Sequence, residues 1–142
     1  MTIREEQDAI VEEFSMFGDW MEKYEYIIQL GKDLPMIAPE YKVDENLIRG
    51  CQSRVWLHAA FSDGKLWFTA DSDALITKGL VSMVVRVLTG HTPLEIAEAD
   101  IYFIDAIGLR SHLSPTRSNG LLSMLKQIKA YAVAYVVKNQ AL

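Results

Sequence analysis

The sequence predicts an α+β domain, a small three-stranded antiparallel sheet with helices packed on one face. Three observations predict it. Apolar residues recur at helical spacing at both ends of the chain, and they alternate in the stretch between, residues 47–70. Asp63-Gly64 within that stretch is the dipeptide of a type I′ hairpin turn. Most of the helical runs open on a capping residue, four of them with Glu three positions on or Pro just inside.

The elements follow in order. Thr2 with Glu5 forms a capping box, after which Ile3, Ile10, Phe14 and Phe17 make one apolar stripe that Gly18 stops. Asp19 with Glu22 is a second box; Trp20, Tyr24, Ile27, Ile28 and Leu30 follow, and Gly31 is expected to end this helix. The two helices should form a hairpin. Residues 32–45, with Pro35 and Pro39, read as a loop. Leu47 to Gly50 is a short strand and Arg54 to Phe61 a longer one. In the longer strand Val55, Leu57, Ala59 and Phe61 line one face, and Arg54, Trp56, His58 and Ala60 the other. Leu66 to Ala70 returns after the hairpin, and Gly50-Cys51-Gln52-Ser53 is the turn between the first two strands.

Asp71-Ser72-Asp73 offers caps for a third helix. Its apolar positions Ile76, Leu80, Met83, Val84, Val87 and Leu88 cover a wide arc, so it should be central, with Gly90 as its stop. Thr92-Pro93-Leu94-Glu95 starts a short fourth helix. Residues 100–113 fit either an extended segment or further helical turns. Ser114-Pro115 opens the last helix, with Leu121, Leu122, Leu125, Ile128, Ala132, Val133 and Val136 as its expected buried stripe. No repeat or low-complexity segment divides the chain, so residues 1–142 are read as one domain.

Composition narrows the function. Of 142 residues, 50% are hydrophobic and 23% charged, which is globular. A net charge of −5 argues against a general nucleic-acid binder, which needs a basic excess. No apolar run approaches the roughly 18 residues of a membrane span. The acidic N-terminus lacks the apolar segment of a secretory signal. The single cysteine, Cys51, makes no internal disulfide. A cytoplasmic protein is expected, as a monomer or weak homodimer.

Cys51 follows a glycine and lies between Arg49 and Arg54, which would stabilise a thiolate. A free cysteine is also often a packed small hydrophobe. A dithiol cycle needs a second cysteine. One Cys with His58, His91 and His112, none at ligand spacing, makes neither a cluster scaffold nor a structural zinc site. Three uses of a lone thiol remain. One is a Cys-nucleophile hydrolase or transferase with His58 or His112 as base. Another is a binding module in which the cysteine only packs. The third is a sulfur carrier, which profits from having no resolving thiol to strip the persulfide.

Gly50-Cys51-Gln52-Ser53 with Val55-Trp56 resembles the active-site segment of the SufE family, the sulfur acceptors of iron–sulfur cluster assembly. Three further stretches resemble that family in order and spacing. They are Trp20 with Lys23-Tyr24 and Ile27 to Gly31, Asp71 to Ala74 with Lys78-Gly79-Leu80, and Leu113 to Leu121.

The resemblance implies a fold shared with IscU-type scaffolds and a PLP-dependent cysteine desulfurase as partner. PLP would belong to that partner, so no cofactor is expected here. Cys51 would accept the persulfide sulfur and deliver it to an iron–sulfur scaffold complex. The protein would then act as cosubstrate and activator of the desulfurase more than as an enzyme with its own small-molecule turnover. Gly50, Gln52 and Ser53 would shape and move the turn, and Arg117 would contact the partner or support the thiolate. Gly120, a helix-interior glycine that costs about 1 kcal/mol relative to Ala, should permit close packing against the Cys51 turn. Asp71 and Asp73 are read as helix caps, and Trp56 as core or as cover over the thiol. The apolar flanks of the turn predict that Cys51 is sheltered in the free protein and everts on docking.

Overall fold

The computed structural model describes residues 1–34, 37–51 and 53–140. Helix α1 (Ile3–Ser15) and helix α2 (Trp20–Lys32) lead through two 3-10 turns into a hairpin of β1 (Val55–Ser62) and β2 (Lys65–Ser72). Helices α3 (Leu75–Leu88), α4 (Pro93–Glu98), α5 (Phe103–Ala106), α6 (Leu109–His112) and α7 (Pro115–Gln140) complete the chain. Residues 100–113 thus include two short helical turns and no strand. Among the described residues no helix is long and apolar enough to cross a membrane.

The local signals act as their chemistry dictates. Thr2 and Thr92 form complete capping boxes with Glu5 and Glu95. Asp19 accepts from the Glu22 amide, while the Glu22 carboxylate reaches back to the Gly18 N–H. The hairpin pairs Ser62 with Lys65 around Asp63 (φ 54°) and Gly64 (φ 74°), both left-handed as a type I′ turn requires.

The sheet among the described residues has two strands, where three were expected. Of Leu47 to Gly50 only Leu47 bridges, to Trp56, with the Ile48 N–H donating to Val55 O at 2.8 Å. The pairing stops because α7 captures the Arg49 carbonyl and Gly50, at φ 85°, turns the chain away. The inner face of the sheet, including Val55, Leu66, Phe68 and Ala70, is buried in one continuous core. The outer face carries the 3-10 segment: Tyr41 stacks on His58 at 3.6 Å and Lys42 sits over Trp56 at 4.6 Å.

Helix α3 is central, with residues buried on nearly every side. It crosses α2 so closely that a Cβ on Gly79 would lie 2.0 Å from Ile27 O, and one on Gly31 2.8 Å from Gly79 N. Gly31 is therefore a crossing point inside α2, not its terminator. Helices α1 and α2 meet through the aromatic cluster of Phe14, Phe17 and Tyr26.

Two other expectations are corrected. Asp71 and Asp73 do not cap α3, whose N-cap is Ala74. Asp71 pairs with Lys42 and Lys78, and the Asp73 carboxylate accepts the Arg54 N–H at 3.1 Å. Ladder pairing continues through Ser72, so these carboxylates are spent on the strand ends and not on the helix. On α7, Leu122 and Val133 are 39% and 48% exposed, and Met124 is buried in their place. The buried positions 121, 124, 125, 128 and 132 keep one helical face, which 122 and 133 leave.

A methyl group at the α2–α3 crossing has no space to enter. Gly79→Ala is expected to destabilise the fold by roughly 3 kcal/mol, the upper range of core overpacking, despite the better helix propensity of alanine. Urea unfolding measures it, and an unchanged midpoint would contradict this geometry.

Candidate functional site

Cys51 is half-buried where its loop lies on the first turns of α7. Its Sγ–H donates to Gly120 O at 3.6 Å, and a Cβ on Gly120 would stand 3.2 Å from Sγ and 3.4 Å from the Cys51 Cα. Glycine is thus what lets thiol and helix backbone touch. Ser53, Thr77, Thr116, Arg117 and Gly120 line the small cleft around the sulfur, whose volume is ≈ 30 Å³. A cavity needs roughly 10–15 Å³ to hold one water-sized group, so there is room for one or two atoms of that size beside the thiol and little more.

The loop is tied at both ends. Ser123 Oγ donates to Arg49 O at 2.6 Å, and Gln127 Nε2 donates to the same oxygen at 3.2 Å and to Ser123 Oγ at 3.0 Å. At the other end the Arg54 N–H is held by Asp73, and the Asp73 N–H donates to Arg54 O. Gly50 packs against Ser123, where its positive φ and the 3.1 Å that would separate an added Cβ from Oγ both favour glycine. Each such hydrogen bond contributes about 1 kcal/mol, enough to hold the loop and small enough for a partner to offset.

Electrostatically the site differs from expectation. Burial alone pushes the Cys51 thiol up from its ordinary value, and neither Arg49 nor Arg54 offsets it. Both arginines are exposed, pointing their charge into water, where it is screened. The resting thiol is protonated and weakly nucleophilic.

Of the residues singled out from sequence, Cys51, Ser53 and Arg117 share the cleft, and Gly50 shapes the loop that enters it. Gln52 lies outside the described residues. Trp56 is not a cover over the thiol; it faces Lys42 across the outer sheet face. Among the described residues no histidine lines the cleft: His58 stacks on Tyr41, and His112 stacks on Trp20 at 3.8 Å. A Cys–His nucleophile pair has no support in this arrangement.

Thr77, Thr116, Ser123 and Gln127 were not anticipated. Three of them were within reach of sequence reading, because Thr116, Ser123 and Gln127 stand four before, three after and seven after Gly120. Those offsets share one helical face. Once Gly120 marks a close approach, its own face names the residues that meet the loop.

Two outcomes test the site. Because the raised thiol pKa lowers the thiolate fraction at any given pH, alkylation of Cys51 by iodoacetamide near neutrality should be slower than in the urea-unfolded chain. The folded rate should keep rising past roughly pH 8.5, where an ordinary thiol levels off. Folding stability carries the same sign: the thiol's contribution is complete below the unfolded pKa and lost as pH climbs through the folded one. In addition, Gly120→Ala should push Sγ out of its place and speed alkylation several-fold with helicity retained, the helix itself gaining about 1 kcal/mol from alanine. An unchanged rate would remove the role given to this contact.

The chain resembles known proteins along most of its length. The family model described as "SufE: Fe-S metabolism associated domain" matches residues 8–132. Uncharacterized SufE-like proteins of Synechocystis sp. and Rhizobium meliloti are 39% and 41% identical. The first alignment covers 89% of this chain and 79% of the relative, the second 88% and 93%. A Rhizobium etli SufE-like protein is 42% identical over 88% of each chain. The solution structure of a hypothetical protein from Thermus thermophilus shares the fold at a TM-score of 0.76 and 19% identity, over 93% of this chain and 96% of that one. A family match along nearly the whole chain, with relatives about two-fifths identical, establishes that the chain belongs to the SufE family.

Proposed function

We propose that the protein is a sulfur acceptor that carries a persulfide on Cys51 within iron–sulfur metabolism. The observation that carries this reading is the pairing of a lone thiol with a one-sulfur cleft, against a glycine, in a loop tied at both ends. Membership in a family associated with iron–sulfur metabolism supports it. The donor is a cysteine desulfurase whose PLP makes the persulfide; this chain supplies no cofactor of its own. The recipient is an iron–sulfur scaffold complex, and the setting is the cytoplasm.

The transfer balances without an external oxidant. Cys51 loses its proton and attacks the outer sulfur of the donor persulfide. A sulfur–sulfur bond forms at Cys51, the donor's sulfur–sulfur bond breaks, and the donor cysteine leaves as thiolate and takes a proton. Docking must first bring Cys51 out. The release points are the Arg49 and Arg54 ties, with Gly50 as the position that absorbs the backbone change. Arg117, exposed at the cleft and without an ion pair among the described residues, supplies positive charge to the thiolate or persulfide and to the partner. Returned to the cleft, the persulfide is screened from stray thiols. The protein acts as cosubstrate and activator of the desulfurase.

Incubation with a cysteine desulfurase and cysteine, followed by intact mass measurement, tests the reading. The protein should gain one sulfur atom that reductant removes. Cys51→Ser should gain none, and Arg117→Ala should gain it more slowly. Desulfurase turnover should rise with the wild-type chain. No sulfur uptake together with unchanged turnover would refute the proposal.

A further inference from the structure

The two edges of the sheet are finished differently. The outer edge of β2 is covered at Leu66, which exchanges hydrogen bonds with the 90–91 segment, and at Phe68, whose N–H donates to Thr89 Oγ1 at 2.9 Å. The outer edge of β1 is covered only at Leu47. Since the Val55 carbonyl faces Ile48, the alternation of an antiparallel strand turns the N–H and C=O groups of Leu57, Ala59 and Phe61 to that same side. The Leu47–Trp56 bridge turns the Leu57 N–H toward Asn46 O; among the described residues nothing hydrogen-bonds to the backbone groups of Ala59 and Phe61. Strand β1, Val-Trp-Leu-His-Ala-Ala-Phe-Ser, carries no Lys, no Pro and no bulge, the devices that usually block an open edge.

Beside this edge runs a groove of ≈ 550 Å³ between the inner face of the sheet and α7. Leu57, Ala59 and Phe68 form one wall and Ala130 and Tyr131 the other; Glu45 lies at the end nearest Leu47. Unsatisfied backbone groups in register, with apolar space on one side, are what an added strand uses.

We propose that the open edge of β1 and this groove bind an extended segment of a partner protein, antiparallel to β1 and in line with Leu47. Every second side chain is apolar and enters the groove, and a basic residue at the C-terminal end meets Glu45. Charge selects this occupant over a second copy of the chain. Glu45 has no ion pair among the described residues, and Asp44 is its exposed neighbour. Two β1 strands paired antiparallel about Ala59 would set Ser62 and Asp63 of the second copy opposite Trp56 and Val55, the places Leu47 and Ile48 already hold, and on the side of the Asp44 and Glu45 carboxylates. A foreign strand ending in lysine or arginine reverses that sign. The groove does not include Cys51, although Gln127, one of the ties of the Cys51 loop, is part of its lining.

The probe is a short synthetic peptide, capped at both ends, of alternating valine and threonine closed by two lysines. Added to the isotopically labelled full chain at up to roughly millimolar concentration, it should shift amide resonances of residues 57–61 and 127–131. It should also slow hydrogen exchange at Ala59 and Phe61. A peptide N-methylated on the edge-facing amides should bind at least about tenfold more weakly. Glu45→Lys should weaken the lysine peptide several-fold and strengthen one ending in glutamates. The Cys51→Ala chain should bind as wild type, which separates this test from that of sulfur transfer. No shift at that concentration, equal binding of the N-methylated peptide, or shifts away from the edge would overturn the proposal. So would a dimer in sedimentation that Ala59→Lys dissociates, since it would give the edge to a second copy.

Discussion

The Cys51 end of this molecule rests on a contact between a sulfur atom and a helix backbone. Gly120 has no side chain, so the Cys51 loop lies directly on α7 and the thiol donates to the Gly120 carbonyl. The same helix turns then present Thr116 and Arg117 to the cleft and Ser123 and Gln127 to the loop. Any larger residue at 120 would separate thiol, cleft and ties together. The glycine spends about 1 kcal/mol of helix propensity to make this possible.

That contact also sets the chemistry. A thiol half withdrawn from water, with no offset from its neighbouring arginines, keeps its proton. The resting state is therefore a protected one. The ties at Arg49 and Arg54 are few and individually weak, so a docking surface of ordinary size can replace them. The rest of the fold is far stiffer: α3 is packed on nearly every side, and its crossing with α2 admits no added methyl. Rigidity in the core and weak fastening at the loop are complementary properties of one molecule.

The sheet shows the same division. Segment 89–91 closes the β2 edge, whereas the segment expected to close the β1 edge is diverted toward α7 to hold the cysteine loop. Holding Cys51 and leaving β1 open are two consequences of one backbone turn at Arg49 and Gly50. Gln127 takes part in both, as a tie to Arg49 and as part of the groove lining.

Much of this was legible without coordinates. The capping boxes at Thr2 and Thr92, the Asp63-Gly64 turn, the alternation of Val55 to Phe61 and the wide apolar arc of α3 are local or periodic features, and local chemistry suffices to read them. The motif around Cys51 with its three companions pointed to the family for the same reason, since the residue types and their order lie in the chain itself. What tertiary structure decided were the competitions between distant groups. Gly31 became a helix crossing because Gly79 faces it; Asp73 served the Arg54 amide instead of α3; Leu47 to Gly50 lost its ladder to Ser123 and Gln127. The thiol's proton belongs to this second group. Arg49 and Arg54 are near Cys51 in sequence, but burial depends on where the loop lies, and that is settled by a glycine 69 residues away.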